Sequence, residues 1–348
     1  MSLFVDIEKK LGNFSLRVRL DTDDALTGLL GASGCGKSLT LQCIAGIRRP
    51  DKGRILLDGT VLFDSEKGID LPPQQRRVGY LFQQYALFPT MTVAENIRCG
   101  ARSRGSRAEQ ERIVREMIAL LHLEGLEARR PAQLSGGQAQ RVALARMLAA
   151  DPRLVLLDEP FSALDAHLRD QLQPRLRALL RQVGRQAVLV THSRDEAFRL
   201  CSTLCILDGG QVVRTGPTRE VFADPQSVAA ARLTGCKNLA AARKAGETAV
   251  TVPGWGITLH TARPVPETLC AVGLRAHHFR PDGPDNRFAV QPAGCMEEPF
   301  ERCFLFRYAG QDPGSEPLWW RLPREGAPAA LPAELGIAPR DVLLLTRP

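Results

Sequence analysis

The chain has no apolar run near the roughly 18 residues that a membrane-crossing helix requires, and no stretch of it sustains heptads. Neither a helical membrane anchor nor a long coiled coil organises it. No internal repeat or low-complexity tract is evident in its 348 residues, so nothing points to a repeat array. Cysteine occurs nine times but never as a C-x-x-C pair, and such an odd, scattered set indicates neither a disulfide framework nor a zinc site. The closest pair, Cys201 and Cys205, has only His192 as its nearest histidine and reads as two buried small residues. The opening "MSLFVDIEKK" alternates like a strand, and Asp6 and Glu8 would interrupt any signal-peptide core. A cytoplasmic chain is expected.

What is present allows a large core. With 44% hydrophobic residues the chain can bury extensive apolar surface, and its length favours two domains over one. The net charge of +8 and pI near 9.2 suit either nucleic acid or the anionic inner face of a membrane. Charge alone does not choose between them.

Alternation in "LFVDIEKK" and "FSLRVRL", with Gly12-Asn13 between, predicts a hairpin over residues 3 to 20. A buried strand at 25–30, the strands "GRILLDG" and "VGYLFQ", and helical periodicity from Thr92 to Leu123 with Ile113, Met117, Leu120 and Leu121 on one face follow. "GGQAQRVALARMLAA" reads as a helix capped by Ser135, and "RLVLLDE" as a strand buried on both faces of a parallel sheet. A helix from Leu164 to Val183, the strand "AVLVTH", a short helix near Arg194 and the strand "LCILDGG" continue an α/β alternation. After about residue 235 the texture changes to short β-like runs broken by Pro and Gly, which predicts a small appended barrel or sandwich.

The chemistry concentrates in "LLGASGCGKSLTL". Gly31-Ala32-Ser33-Gly34-Cys35-Gly36-Lys37-Ser38 completes G-x-x-x-x-G-K-[ST] between a strand and a helix, and Leu39 follows. Backbone N–H groups, a helix N-terminus and one ammonium then converge on a point, a nest suited to polyphosphate. Lys37 is placed to reach the β- and γ-phosphates and the Ser38 hydroxyl to complete the coordination of Mg²⁺. Read blandly, the same stretch is a glycine-rich turn. About one hundred positions on, Ser135-Gly136-Gly137-Gln138 offers a second helix N-terminus to an anion, or is an ordinary capped helix. Asp158 ends an apolar strand in the crevice where α/β sheets bind ligands, placed to hold Mg²⁺ through water, and Glu159 beside it would orient or deprotonate an attacking water. The two adjacent carboxylates could instead cap a helix.

In its order of motifs the chain resembles the ATP-binding-cassette (ABC) transporter ATPases over residues 1 to about 225. The glycine loop matches their Walker A motif, "LFQQ" their Q-loop with Gln83, "LSGGQ" their signature, "LVLLDEP" their Walker B, "SALD" with Asp165 their D-loop, and "THS" with His192 their switch histidine. That resemblance implies a P-loop NTPase core with a helical subdomain over residues 1–235, followed by a C-terminal β-barrel-like regulatory domain over 236–348. It implies ATP and Mg²⁺ as cofactors, with Glu159, His192 and Gln83 catalytic and Ser38, Gln83 and Asp158 at the metal. It also implies a homodimer whose Walker A and signature motifs face across two ATP molecules, bound to transmembrane permease subunits at the cytoplasmic face of the membrane. An extracytoplasmic substrate-binding protein would deliver substrate, and no nucleic acid is expected as partner. The family usually stacks adenine on an aromatic residue in the loop after the first strand. Leu11 occupies that place here, and Phe14 is the nearby aromatic.

Within the family, "VLFDSEKGIDLPPQQRRVGYLFQ", "LTGCKN" and "VGLRAHHFRP" are similar to molybdate importer ATPases, whereas "YALFPTMTVAENI" is closer to sulfate, polyamine and sugar importers. Molybdate is the first expectation; sulfate or thiosulfate, polyamine, iron and sugar stay open as alternatives. A soluble ABC ATPase acting on nucleic acid is the reading from another class, though such proteins typically carry tandem cassettes or a coiled-coil insertion. Arg275, His277, His278 and Arg280 form a basic cluster that would suit an anion or simply be solvated.

Overall fold

Two alternating stretches, β1 (Leu3–Leu11) and β2 (Phe14–Thr22), pair antiparallel in register through Gly12-Asn13. In the computed structural model, which describes residues 2–162 and 164–347, this hairpin is part of an 11-stranded sheet. Ala163 of the "SALD" motif lies outside the described residues. The chain divides into two compact units, Met1–Thr218 and Arg219–Pro348, ahead of the change in texture at residue 235.

In the first unit β3 (Leu26–Leu30) enters the glycine loop and α1 (Lys37–Ala45) leaves it. Then come β4 (Lys52–Leu57), β5 (Thr60–Asp64), β6 (Ile69–Asp70), the single-turn α2 (Pro73–Arg76) and β7 (Val78–Leu81). The helical stretch comprises α3 (Val93–Gly100), α4 (Arg107–Leu120) and α5 (Gly136–Ala149). After it run β8 (Leu154–Asp158), α6 (Ala166–Val183), β9 (Gln186–Thr191), α7 (Arg194–Leu200), β10 (Thr203–Asp208) and β11 (Gln211–Pro217). The strand order is β6-β5-β4-β1-β2-β11-β10-β3-β9-β8-β7, with β10, β3, β9, β8 and β7 parallel to their neighbours in that run.

The near-continuous apolar runs of β8 and β9 are explained by burial on two sides. Leu154, Leu156, Val188 and Val190 feed one core, shared with α1 and β1. Val155, Leu157, Ala187 and Leu189 feed the other, shared with α3 to α6. A period of two therefore sends alternate residues to opposite faces, and both faces are dry.

The periodic stretch from Thr92 to Leu123 is two helices. Thr92 caps α3 with Glu95 completing the capping box, the chain turns at Ala101–Ser103 and Gly105, and the Ser106 hydroxyl accepts from Glu109 N–H to start α4. Periodicity bridges the break because both helices bury apolar residues, Ile97, Ile113 and Leu121 among them, in one core. The later helix likewise begins at Ala166 rather than Leu164, with Asp165 as its cap.

A buried arginine fastens the C-terminus of α1. Arg76, 2% exposed, donates through Nη1 to the carbonyls of Cys43 and Ile44 (2.8 and 2.9 Å), through Nε to Leu71 (2.7 Å), and through Nη2 to Asp70 Oδ1 at 2.8 Å. Carbonyls at a helix end need such partners. A Cβ at Gly46 (φ 79°) would lie 2.6 Å from Arg76 Nε, so this close approach demands glycine. Arg76→Met, which keeps the stem and deletes the guanidinium, should cost about 3–5 kcal/mol, read as a lower urea midpoint; an unchanged midpoint would refute the role.

The second unit is β-rich, as expected. Two three-stranded sheets and one four-stranded sheet, all antiparallel, contribute to one apolar core that includes Val250, Leu259, Phe279, Phe306 and Trp320. The helix Val228–Leu233 also belongs to this unit, where Val228 N–H donates to the Arg347 carbonyl at 3.0 Å. Its basic cluster is largely committed to its own backbone. Arg275 donates to the carbonyls of Thr234 (2.9 Å) and Phe222, and Arg280 to those of His277 (3.0 Å) and Phe279 (3.2 Å). His278 lies 3.4 Å from Asp341, and its burial holds it below the usual imidazole range despite that carboxylate.

Candidate functional site

Four adjacent parallel strands, in the order β3-β9-β8-β7, bring their C-terminal ends to one edge of the sheet. β3 delivers Gly31 to Ser38, β9 delivers His192, β8 delivers Asp158 and Glu159, and β7 delivers Gln83. Ser38 and Asp158, 120 positions apart in the chain, meet because neighbouring strands end together. A cleft of about 550 Å³ there is lined by Ser33, Gly34, Gly36, Lys37, Ser38, Leu39, Gln83 and Glu159, with Leu11 and Phe14 also on its wall.

The glycine loop is shaped for close approach. Gly36 sits at φ 105°, and a Cβ there would strike Leu16 Cδ1 at 2.5 Å and Phe14 Cζ at 3.2 Å. Lys37 is buried, and its Nζ donates to the Gly31 and Ala32 carbonyls, each at 2.8 Å. Those contacts aim the ammonium along the loop. Cys35 is buried beneath; burial raises its thiol pKa against the pull of Lys37, which keeps it neutral.

Opposite the loop, the Ser38 hydroxyl donates to Asp158 Oδ1 at 2.8 Å, and Tyr80 donates its phenol to Asp158 Oδ2 at 2.8 Å. Burial first, then the bond to Asp158 and its charge, push the Tyr80 phenol well above its usual range, so it stays a donor. Glu159 is bracketed: His192 Nδ1 lies 3.2 Å from Oε1, and Gln83 Nε2 lies 3.4 Å from Oε2 and equally 3.4 Å from Ser162 Oγ. Glu159 adopts φ 45°, a conformation that costs a non-glycine residue about 1–3 kcal/mol, and its N–H is tied to the Val190 carbonyl at 3.0 Å. His192 is held by the turn that follows β9, where Thr191 Oγ1 donates to buried Glu196 at 2.6 Å and accepts from Ser193 N–H at 2.9 Å.

The signature residues are elsewhere. Ser135 and Gln138 form a reciprocal capping box at the start of α5 (3.3 and 2.9 Å), and among the described residues the cleft's lining includes none of Ser135, Gly136, Gly137 and Gln138. Asp165 also stands outside the lining, accepting from Leu168 N–H at 2.9 Å. Sequence reasoning missed Tyr80, Ser162 and Arg76. A tyrosine on a strand and a serine in a turn carry no motif of their own; only the place of β7 beside β8 marks them.

A family model for the ABC transporter matches residues 13–162. A solved ATP-binding cassette, MJ0796, in a dimeric post-hydrolysis state bound to ADP and Pi, is 31% identical with a TM-score of 0.54, the match covering 63% of this chain and 99% of that one. This chain belongs to the ABC transporter family. Its cassette is also 44% identical over 223 residues to a molybdenum import ATP-binding protein of Paramagnetospirillum magneticum, covering 64% of this chain and 61% of that protein. A sulfate/thiosulfate import ATP-binding protein of Chromobacterium violaceum is 42% identical over 240 residues, covering 69% of this chain and 63% of that protein. The matches thus span about three fifths of these relatives' length. In the cassette's terms, the Walker A loop, Gln83 and Glu159 line one cleft within a single chain, Asp158 and the switch histidine contact that lining through Ser38 and Glu159, and the signature residues and Asp165 are not part of it.

Proposed function

We propose that this chain is the ATP-hydrolysing subunit of an ABC importer for an oxyanion, molybdate before sulfate or thiosulfate. The observation that carries the hydrolytic part is Glu159 held between His192 and Gln83 in the cleft lined by Lys37 and by Ser38, whose hydroxyl is bonded to Asp158. The 44% identity to a molybdenum import protein supports the substrate, with the sulfate/thiosulfate relative close behind at 42%.

The donor set fits Mg²⁺. Ser38 and Asp158 present oxygen atoms 2.8 Å apart, the hard ligands that ion prefers while keeping several waters. When bound there, Mg²⁺ supplies charge neutralisation to the β- and γ-phosphate oxygens. The loop N–H groups and the Lys37 ammonium bind the phosphates, with Ala32, Ser33 and Leu39 shaping the approach and Phe14 the aromatic face available to adenine. Glu159 accepts the proton of the attacking water, and His192 and Gln83 hold its carboxylate in place. Serine, glycines and glutamine at 135–138, with Asp165, complete the site from a second copy of the chain.

In this reading the homodimer sits at the cytoplasmic face of the membrane on permease subunits, with an extracytoplasmic binding protein as substrate donor, and residues 236–348 regulate it. Among the described residues no helix is long and apolar enough to cross a membrane, which agrees with a peripheral role. The test is reconstitution with the permease and with binding proteins loaded in turn with molybdate, sulfate or spermidine. Molybdate should stimulate ATP turnover several-fold over the unloaded state. Stimulation by sulfate or spermidine alone would replace the substrate, and stimulation by nucleic acid alone would replace the importer.

A further inference from the structure

We infer that Tyr80 is a positioning residue that aims the Asp158 carboxylate at the metal. Asp158 has two oxygens with different partners: Oδ1 receives the Ser38 hydroxyl and Oδ2 the Tyr80 phenol, both at 2.8 Å. A carboxylate on a free χ2 torsion swings broadly. Anchoring Oδ2 from the side leaves Oδ1 turned toward Ser38 and the cleft. The anchor is itself fixed. Tyr80 lies on β7 in register with Leu156 of β8, packs against the core that holds α1, and its ring centroid is 4.5 Å from that of Phe82. Phe82 is directly followed by Gln83, whose amide reaches Glu159. One tyrosine therefore braces the Walker B carboxylate from a strand whose next residues form the Q-loop.

Outer partners that orient a metal-holding carboxylate typically account for 10–100-fold in metal affinity. Tyr80→Phe removes one oxygen and keeps the ring, its packing and its contact with Phe82. This inference rests on the Mg²⁺–ATP reading of the cleft, so two measurements on the full-length protein separate them. Fluorescent-nucleotide binding is titrated in EDTA and then with Mg²⁺, and Mn²⁺ binding in the presence of ATP is followed by its electron paramagnetic resonance signal. The variant should bind nucleotide as wild type does in EDTA, and should need 10–100-fold more metal for half-saturation. Its kcat should return toward wild type at saturating Mg²⁺, and its melting temperature should stay near wild type. An unchanged metal half-saturation overturns the inference, as does an equal loss of nucleotide affinity in EDTA, which would make Tyr80 merely structural. If wild-type binding itself ignores both metals, the reading of the cleft fails instead.

Discussion

Glu159→Gln should leave ATP binding intact while slowing hydrolysis by two orders of magnitude or more, the contribution expected of a positioned general base. Glutamine has the same shape, meets the same backbone requirement at φ 45° and still offers an oxygen to His192. It cannot take a proton from water. The variant should consequently fold, bind and close on ATP, then stall. ATP affinity by calorimetry and single-turnover hydrolysis, measured separately, check this. Turnover near wild type would remove Glu159 from its role and return the adjacent carboxylates to a structural one.

Lys37→Ala acts on the other half of the reaction. The ammonium is buried and tethered to two loop carbonyls, and charge-assisted hydrogen bonds are worth about 1.5–3 kcal/mol each, so nucleotide affinity should fall at least about tenfold.

The second large effect comes from combining lesions. A Lys37→Ala chain paired with a Gly137→Asp chain gives a mixed dimer with both lesions in one site if the signature of each chain completes the cleft of the other. The second site is then whole and should trap one ATP per mixed dimer. Sites closed within single chains would each carry one lesion and trap none. Gly137 is an apt target because a Cβ there already meets Leu168 Cδ2 at 2.9 Å, so aspartate both adds charge and pushes on the first turn of α6. Because turnover can be cooperative between sites, occluded ATP should be counted with Glu159→Gln in both chains. An assembled mixed dimer that occludes no ATP would defeat the shared site.

Much of this was legible in the chain. The glycine loop, the apolar strand ending in Asp158-Glu159, and the serine before Gly136 announce themselves because each works through local rules: φ > 0 at glycine, burial on two faces, a side chain capping its own helix. The break between α3 and α4 escaped because periodicity reports which residues face a core, and both helices face the same one. Asp165, expected inside a helix from Leu164, is instead the cap of that helix, accepting from Leu168 N–H.

What the sequence by itself determined is the inventory: which residues form the glycine-rich loop, which carboxylates stand at a strand end, and that an α/β unit precedes a β-rich one. Only the tertiary structure decided who touches whom. The order β3-β9-β8-β7 sets His192 and Gln83 on either side of Glu159, puts Tyr80 on Asp158 and leaves the signature outside the cleft. Arg76, near the end of a surface-like "LPPQQRR" run, is buried because α1 ends where its guanidinium can reach. Strand adjacency in a parallel sheet is set by crossovers that pack whole helices, a long-range balance of burial. No window of local sequence contains it.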